Sequence, residues 1–236
     1  MLSVIIPTLN EEKTLPLLLK SIGKQNFKGY EIIIADANST DKTVEVAKKH
    51  KCKVVLGGLP GPGRNNGAKV AKGDLLLFLD ADVIIPEMFF EKALNEFEQR
   101  KLDITTFTLF PQEENGFFKF VLNFFYNKPA IFFEKTLPHA AMGIIIKKDL
   151  FEKLNGYDET VTLAEDHDLA RRAQKIAQFG IIRSSYLYIS DRRFKKDGWI
   201  KTGLKYFLCE SHMVFLGPVK SKSSVFKYKF GHYDEN

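Results

Sequence analysis

The first hundred residues alternate short apolar runs with segments in which apolar residues recur at helical spacing. Runs that are apolar at nearly every position are typical of strands buried on both faces of a parallel sheet. Their alternation with helices predicts an α/β fold, with a mostly parallel, Rossmann-like sheet flanked by crossover helices. The predicted strands are residues 3–6, 31–35, 53–56 and 75–79, and the predicted helices are 14–25, 41–50, 65–72 and 86–100.

The pattern changes after residue 103. Strands are predicted at 104–107, 141–146 and 186–189, and helices at 166–178 and 199–215, after an unusually aromatic stretch at 116–133. The sequence shows no internal repeat and no clear linker. We therefore expect a single domain over residues 1–236, made of a front half (1–103), a back half (104–190) and a basic C-terminal extension (191–236).

Size and composition are those of an ordinary globular protein: 236 residues, of which 44% are hydrophobic and 27% charged. The two cysteines, Cys52 and Cys209, give neither zinc spacing nor a disulfide framework, so a reducing compartment is expected. The chain opens on a strand-like stretch and shows no charged-then-apolar leader, so no signal peptide is expected. No uncharged apolar stretch is long enough for a spanning helix. These features predict a cytoplasmic protein.

Positive charge is concentrated near the C-terminus. The net charge is +6, and the stretch 192–229 carries ten Lys or Arg against two acids. A basic end can meet nucleic acid, anionic lipid or a phosphorylated substrate, or can be a solvated surface. The aromatic stretch 117–133, with Lys119 and Lys128 among its aromatics, can lie in a membrane interface or can form core or line a cleft. Together the two features allow a reversible peripheral contact with a membrane.

Polar residues stand directly after three of the predicted strands, where open α/β sheets bind ligands. The most informative pair is Asp80 and Asp82, which follow the apolar run 75–79. Residues two apart in an extended chain point to the same side, so both carboxylates can face one ligand. Hard cations such as Mg²⁺ or Mn²⁺ bind few protein carboxylates together with substrate phosphates. The alternative for this pair is a turn with two solvated acids.

A glycine- and proline-rich stretch, residues 57–67, is predicted as a loop entering a helix. Exposed amides there can attract an anion, and Arg64 can grip a diphosphate. The stretch matches neither the phosphate-loop motif nor a dinucleotide fingerprint, which would follow the first strand. A nicotinamide dehydrogenase is therefore excluded.

Two further groups can carry chemistry. Glu165 and Asp166 open a predicted helix, where an acid can be a cap or can accept a proton from an attacking hydroxyl. His139 and His212 lie among apolar residues and can be metal ligands, acceptor contacts or structural histidines.

These residues together resemble glycosyltransferase family 2, which has the GT-A fold. The resemblance is carried by SVIIPTLNEE at 3–12, IIIADANSTDKT at 32–43, GRNNGA at 63–68, AKGDLLLFLDAD at 71–82, MGIIIKKDLFEKLNGYDE at 142–159 and EDHDL at 165–169. It covers residues 3 to about 180 in the expected order. One departure is Ala37, where many members have a second acid after the second strand, so the choice between uridine and guanosine stays open.

The resemblance implies a role for each matching position. Those assigned to the nucleotide pocket and donor are Pro7, Thr8, Asn10, Glu11, Asp36, Arg64 and Asn65. Asp80 is implied near the ribose or metal and Asp82 on the metal, whereas Asp166 matches the catalytic base, with Glu165 beside it. The front half would then hold the nucleotide and the back half the acceptor.

The function that the resemblance implies is transfer of a sugar from a UDP- or GDP-linked donor, with a divalent metal, Mg²⁺ or Mn²⁺. Transfer would invert the anomeric carbon, and the acceptor would be a glycan hydroxyl or a polyprenyl-lipid phosphate near the membrane. We expect no nucleic-acid partner. Two alternatives remain: an inactive binding protein of this fold, and a sugar-nucleotide nucleotidyltransferase, although the latter usually has a glycine-rich loop after the first strand.

Overall fold

The computed structural model describes residues 1–220, without the side chains of Arg193, Ile200 and Tyr206. Lys222, Lys227 and Lys229 of the basic extension lie outside the described residues. The strands are β1 (Leu2–Thr8), β2 (Tyr30–Asp36), β3 (Lys53–Leu56), β4 (Leu75–Leu79), β5 (Val83–Ile84), β6 (Ile104–Pro111), β7 (Gly143–Lys147), β8 (Val161–Leu163), β9 (Phe179–Ile189) and β10 (Val219–Lys220). The helices are α1 (Leu15–Gly23), α2 (Thr43–Lys49), α3 (Pro60–Lys69), α4 (Phe89–Gln99), α5 (Gly116–Leu122), α6 (Lys128–Phe132), α7 (Lys148–Lys153), α8 (Glu165–Gln174), α9 (Arg192–Asp197) and α10 (Trp199–Phe215), with a π-helical segment (Asn123–Asn127) between α5 and α6.

Eight strands form one mixed sheet in the order β3-β2-β1-β4-β7-β6-β9-β5. Strands β1 to β4 are parallel to one another, β7 runs antiparallel between β4 and β6, and the short β5 pairs antiparallel with β9. The carboxyl ends of β1, β2 and β4 therefore meet at one edge, as the sequence predicts. Strands β8 and β10 make a separate antiparallel pair.

The sheet is buried on both faces, as its continuous apolar strands predict. In β1, Val4 and Ile6 pack into one core cluster, whereas Ile5 packs into the other, with Phe78 of β4. Neither cluster is confined to one half of the chain, because β7 and β9 supply residues to both.

Most predicted elements are confirmed to within a few residues, and 53–56, 75–79 and 199–215 match in full. The predicted loop at 57–67 is wrong beyond residue 59, because α3 begins at Pro60. Proline is tolerated in a first helical turn. Glycine at position 67 lets this helix approach β1, since a Cβ there would lie 2.4 Å from Ile5 Cγ2.

Two regions expose apolar side chains to solvent. Of the eighteen exposed large hydrophobic residues in the described part of the chain, twelve lie between the start of α5 and Phe133, just after α6, or between Leu204 of α10 and Leu216, just after α10. We call this set the apolar face: Phe117, Phe120, Phe124, Phe125, Phe132, Phe133, Leu204, Phe207, Leu208, Val214, Phe215 and Leu216. None of the described helices is both long and apolar enough to cross a bilayer.

Candidate active site

The end of β2 is organised by Asp36, which is buried and accepts three hydrogen bonds. Its Oδ1 accepts from Thr8 Oγ1 at 2.9 Å and from Ser39 Oγ at 2.6 Å, and its Oδ2 accepts from the Ser39 amide at 2.9 Å. Asp36 thereby fixes the turn after β2 against the end of β1. Pro7, the neighbour of Thr8 in β1, lies opposite Ala35 of β2.

The turn after β1 is tied to the same region. Asn10 has a left-handed backbone, with φ of 55°, its amide donates to Ser39 Oγ at 2.9 Å, and its Oδ1 accepts from the Thr40 amide at 2.8 Å. The Glu11 amide donates to Thr43 Oγ1 at 2.8 Å. The predicted pocket residues at the ends of β1 and β2 therefore form one connected polar surface.

Asp82 and Glu11 are joined by a cation that the sequence reasoning missed. Arg192, at the start of α9, places Nη2 3.1 Å from Asp82 Oδ2 and 3.3 Å from Glu11 Oε2. These side chains come from three parts of the chain, and each is only partly buried. Arg192 follows β9 in the sequence, which brings it to the edge where β1 and β4 end.

Asp166, the predicted base, is oriented by two hydrogen bonds. Tyr157 donates its hydroxyl to Oδ1 at 3.0 Å, and the Met142 amide donates to Oδ2 at 3.2 Å. Met142 has a left-handed backbone, and its carbonyl accepts from the Asp80 amide at 3.2 Å, so it connects the Asp80 turn to Asp166. Sequence reasoning assigned no role to Tyr157 or Met142, although both lie in the motif at 142–159.

Arg64 lies at the centre of the acidic cluster and is only 3% exposed. Its Nη2 pairs with Asp80 Oδ1 at 2.5 Å, and its Nη1 pairs with Glu165 Oε1 at 2.6 Å and lies 3.6 Å from Asp166 Oδ1. Its guanidinium carbon stands 5.3 Å from the centre of the Tyr157 ring. This geometry makes Arg64 the internal counter-ion of three carboxylates. A direct contact with the donor stays a prediction.

Two of these carboxyl groups, Asp80 and Asp166, have a raised pKa despite this cation. Burial raises the pKa of Asp80 to about 6, against the lowering effect of Arg64, and Asp166 and Asp82 raise it further. The pKa of Asp166 is also raised, first by burial and then by Glu165, while Arg64 and the Tyr157 hydroxyl lower it. A carboxylate with a raised pKa is a better proton acceptor near neutrality than an ordinary aspartate.

Asn65 bonds to the turn that carries Tyr157. Its Oδ1 accepts from the Tyr157 amide at 2.9 Å, and its Nδ2 donates to the Tyr157 carbonyl at 3.0 Å and to Glu159 Oε1 at 2.9 Å. It therefore fastens α3 to the turn that carries Tyr157, and a contact between Asn65 and the donor stays a prediction.

The two candidate histidines have different surroundings. His212 Nδ1 lies 3.0 Å from the Gly217 carbonyl at the end of α10. His139 Nε2 lies 3.0 Å from His167 Nε2, and both rings approach Glu210 of α10. Burial lowers the pKa of His139 to about 4. Burial alone would raise the pKa of Glu210, but hydrogen bonds from the two histidines lower it, so this carboxylate is ionised.

The end of β4 fits a divalent cation. Asp82 is partly exposed and pairs with Arg192, and the charges of Asp82, Glu165 and Asp166 all act on Asp80, which pairs with Arg64. The pKa of Asp80 is raised in part by these like charges, a repulsion that another cation would relieve. Carboxylate oxygens are the protein ligands that Mg²⁺ and Mn²⁺ prefer.

A mixed sheet with acids at the end of β4, facing an acidic helix start, is the arrangement of GT-A glycosyltransferases. The structure of Staphylococcus aureus TarS residues 1–349 superposes with a TM-score of 0.67 at 22% identity, over 91% of this chain and 72% of that one. The mannosyltransferase PcManGT of Pyrobaculum calidifontis, solved with GDP-Man and Mn²⁺, gives 0.65 at 17% identity, over 88% of this chain and 64% of that one. The GT-A fold is therefore confirmed.

The family follows from the sequence comparison. The model described as glycosyl transferase family 2 matches residues 3–154. The chain belongs to glycosyltransferase family 2, as its motifs predict.

Relatives in this family are mostly much longer. TarS of S. aureus strain Mu50, a poly(ribitol-phosphate) β-N-acetylglucosaminyltransferase, is 34% identical over 112 residues, 43% of this chain and 20% of TarS. An uncharacterized glycosyltransferase of Haemophilus influenzae is 32% identical over 178 residues, 71% of this chain and 60% of the relative. GgaB of Bacillus subtilis, a minor teichoic acid biosynthesis protein, is 29% identical over 214 residues, 83% of this chain and 23% of GgaB. The matched stretch covers a fifth of TarS, and the superposed chain covers 44% of the full-length TarS structure.

Proposed function

We propose that this protein is an inverting glycosyltransferase that moves a sugar from a nucleotide-diphosphate donor to an acceptor hydroxyl or phosphate. The observation that carries the proposal is the state of Asp166. It is buried, oriented by Tyr157 and Met142, raised in pKa, and connected to Asp80 through Arg64. An oriented carboxylate of raised pKa opposite a donor site is what a single displacement needs.

In this mechanism the residues of the chain do four things. The turns after β1 and β2 hold the nucleoside, with Asp36 fixing their shape. Arg192 lies where it can pair with diphosphate oxygens instead of Glu11. Asp166 accepts the acceptor's proton on a carboxylate oxygen, while Arg64 limits the repulsion that would otherwise protonate it. Mg²⁺ or Mn²⁺ held by Asp82, with Asp80 adjacent, would neutralise charge on the leaving diphosphate.

The donor we favour is UDP-linked. TarS has been crystallised with UDP and with UDP-GlcNAc, and PcManGT with GDP-Man. TarS is also the more similar of the two in sequence, with 34% identity to this chain over 112 residues, against 17% for PcManGT over the superposed chains. A GDP-linked donor is the alternative.

The acceptor we propose is a polyol-phosphate or polyprenyl-lipid substrate presented at a membrane surface. The printed names of relatives include poly(ribitol-phosphate) glycosyltransferases and a GalNAc(5)-diNAcBac-PP-undecaprenol β-1,3-glucosyltransferase of Campylobacter jejuni. The apolar face carries exposed lysines beside it, Lys119, Lys128, Lys135 and Lys201. Inserted aromatics flanked by lysines favour an anionic interface, so we propose peripheral attachment to the cytoplasmic leaflet.

The donor is tested by thermal unfolding with UDP, GDP and their sugar conjugates, with and without Mn²⁺. Binding to the folded state raises Tm according to ligand concentration over Kd. We expect a Mn²⁺-dependent rise with UDP that Asp82→Ala abolishes, and sugar transfer from UDP-GlcNAc or UDP-glucose to a polyol-phosphate acceptor. A folded protein that binds none of these nucleotides would contradict the proposal and favour the inactive binding protein.

The membrane contact is tested separately by co-sedimentation with phosphatidylglycerol vesicles. We expect binding that weakens with salt and drops in the variant Phe207→Ser with Phe215→Ser. The matched control is Ile176→Ser, since Ile176 is an exposed apolar residue elsewhere on the surface. Equal binding by all three proteins, or none by the wild type, would exclude the apolar face as the membrane contact. A dimer in solution would assign that face to a second copy.

A further inference from the structure

A second group of side chains of the types that bind metals lies apart from Asp80 and Asp82. It consists of His139 before β7, His167 in α8 and Glu210 in α10, each offering one ligand atom, all within 4.8 Å of one another. Among the described residues, these three side chains make no hydrogen bond with Asp80 or Asp82. They also join α10, which carries much of the apolar face, to the helix that contains Asp166.

Hydrogen bonds alone satisfy this group poorly. His167 Nε2 lies 2.8 Å from Glu210 Oε1 and 3.0 Å from His139 Nε2. A ring nitrogen has either one hydrogen or one in-plane lone pair, so a single N–H must serve both neighbours. The other contact of the group, His139 Nδ1 to Glu210 Oε2, is long at 3.5 Å.

A transition-metal ion could instead be bound by a lone pair from each of three atoms: His139 Nε2, His167 Nε2 and Glu210 Oε1. Zinc binds histidine nitrogen at about 2.0–2.1 Å, so two nitrogens 3.0 Å apart subtend an angle of about 90° at one ion. A small opening of the two rings gives a tetrahedral angle. Imidazole nitrogens suit zinc, nickel and copper, whereas Mg²⁺ prefers an all-oxygen set. The neighbouring Arg171 places Nη2 3.4 Å from Glu210 Oε2, so the other oxygen, Oε1, can bind the ion.

We propose that His139, His167 and Glu210 bind a divalent transition metal of the zinc type, at a site distinct from the donor metal. The ion would cross-link three segments distant in sequence, and its binding energy would contribute to stability. Because Glu210 belongs to α10 and His167 to α8, the ion would hold α10 against α8 next to Asp166. It would thereby stabilise the position of the helix that carries part of the apolar face. The proposal does not depend on which donor or acceptor the protein uses.

The experiment uses the tag-free full chain, stripped with a chelator and then dialysed against Zn²⁺. Bound metal is counted by mass spectrometry, and Tm is followed across a Zn²⁺ titration with Mg²⁺ in excess to fill the donor site. We expect the wild type to retain one Zn²⁺ per chain and to show a rise in Tm. Both effects should be lost in His139→Gln and in Glu210→Gln. His50→Gln, at an exposed histidine, and Asp82→Asn, in the donor site, should both keep them.

Two results would overturn the proposal: a wild type that retains no Zn²⁺, or variants at His139 and Glu210 that retain as much as the wild type. If those variants fail to fold, Co²⁺ bound to the wild type decides instead. A d–d absorption spectrum of nitrogen and oxygen ligation, displaced by Zn²⁺ and not by Mg²⁺, supports the site. Its absence excludes the site.

Discussion

Replacing Arg64 by methionine tests the electrostatic arrangement of the site most directly. The guanidinium is 3% exposed and makes three ion pairs, at 2.5 Å to Asp80, 2.6 Å to Glu165 and 3.6 Å to Asp166. Methionine fills similar volume without the charge, so the variant leaves its carboxylate partners without their counter-ion. Breaking a buried ion pair by removing one partner costs about 3–5 kcal/mol of unfolding free energy. We expect a loss in this range at pH 8.

The loss should shrink as the pH falls. Burial already raises the pKa of Asp80 to about 6 and raises that of Asp166, and removing Arg64 raises both further. A carboxyl whose pKa is higher in the folded than in the unfolded state binds more protons when folded, so its contribution to stability decreases as pH rises between the two values. In Arg64→Met this decrease is steeper than in the wild type. The deficit is therefore largest at pH 8 and smaller at pH 5.5.

Urea denaturation followed by circular dichroism, without divalent metals, measures both quantities. The matched control is Arg183→Met, since Arg183 is 58% exposed and its partner Glu134 keeps a second cation, Arg100. An exposed ion pair contributes about 0–1 kcal/mol, so the control should lose no more than that. A loss in Arg64→Met as small as in the control, or one equal at both pH values, would refute the reasoning.

Three further predictions concern the base and the packing beneath it. Asp166→Asn should lower kcat by ~10²–10⁴-fold for a hydroxyl acceptor and leave the nucleotide-induced rise in Tm intact; unchanged turnover would remove Asp166 as the base. Tyr157→Phe deletes a hydrogen bond that lowers the pKa of Asp166, so the acidic limb of the kcat/KM profile should move to higher pH, and an unmoved limb would contradict this. Gly67→Ala forces a Cβ against Ile5 and should cost about 1–3 kcal/mol in urea denaturation, unlike Gly203→Ala, where nothing lies within 4 Å.

The position of the polar residues that follow β1, β2 and β4 was predictable because each lies next to its strand in the sequence. A continuous apolar run marks each buried strand, and the polar residue after it lies at the carboxyl end. Asp36 and Asp80 therefore fall on the expected edge of the sheet once the strands are placed. The prediction required only that neighbouring parallel strands end on the same side.

The counter-ions were not predictable in the same way. Arg64 meets Glu165 across 101 positions, and Arg192 meets Asp82 across 110. No spacing motif relates residues so far apart, and the glycines around Arg64 are typical of a loop. Similarly, His139, His167 and Glu210 come from three elements, so their meeting depends on the tertiary fold.

The length of β9 shows a different obstacle. The sequence predicts a strand only at 186–189, because Arg183, Ser184 and Ser185 interrupt the apolar run. In the structure the register shifts between Phe107 and Thr108 of β6, so those three residues bulge from the ladder and the strand continues on both sides. Glu96 of α4 accepts from the amides of Arg183 and Ser184, which satisfies backbone groups that the ladder leaves unpaired.

The arrangement around α3 also bears on how the chain is organised. Arg64 lies in the front half and is buried by Glu165 and Asp166 of the back half, while Asn65 bonds the backbone of Tyr157. A buried guanidinium without its carboxylates would cost several kcal/mol, which is a large fraction of the total unfolding free energy of a domain. We therefore propose that the two halves fold as one unit, and that the donor side of the site forms only when Asp166 is in place beside it.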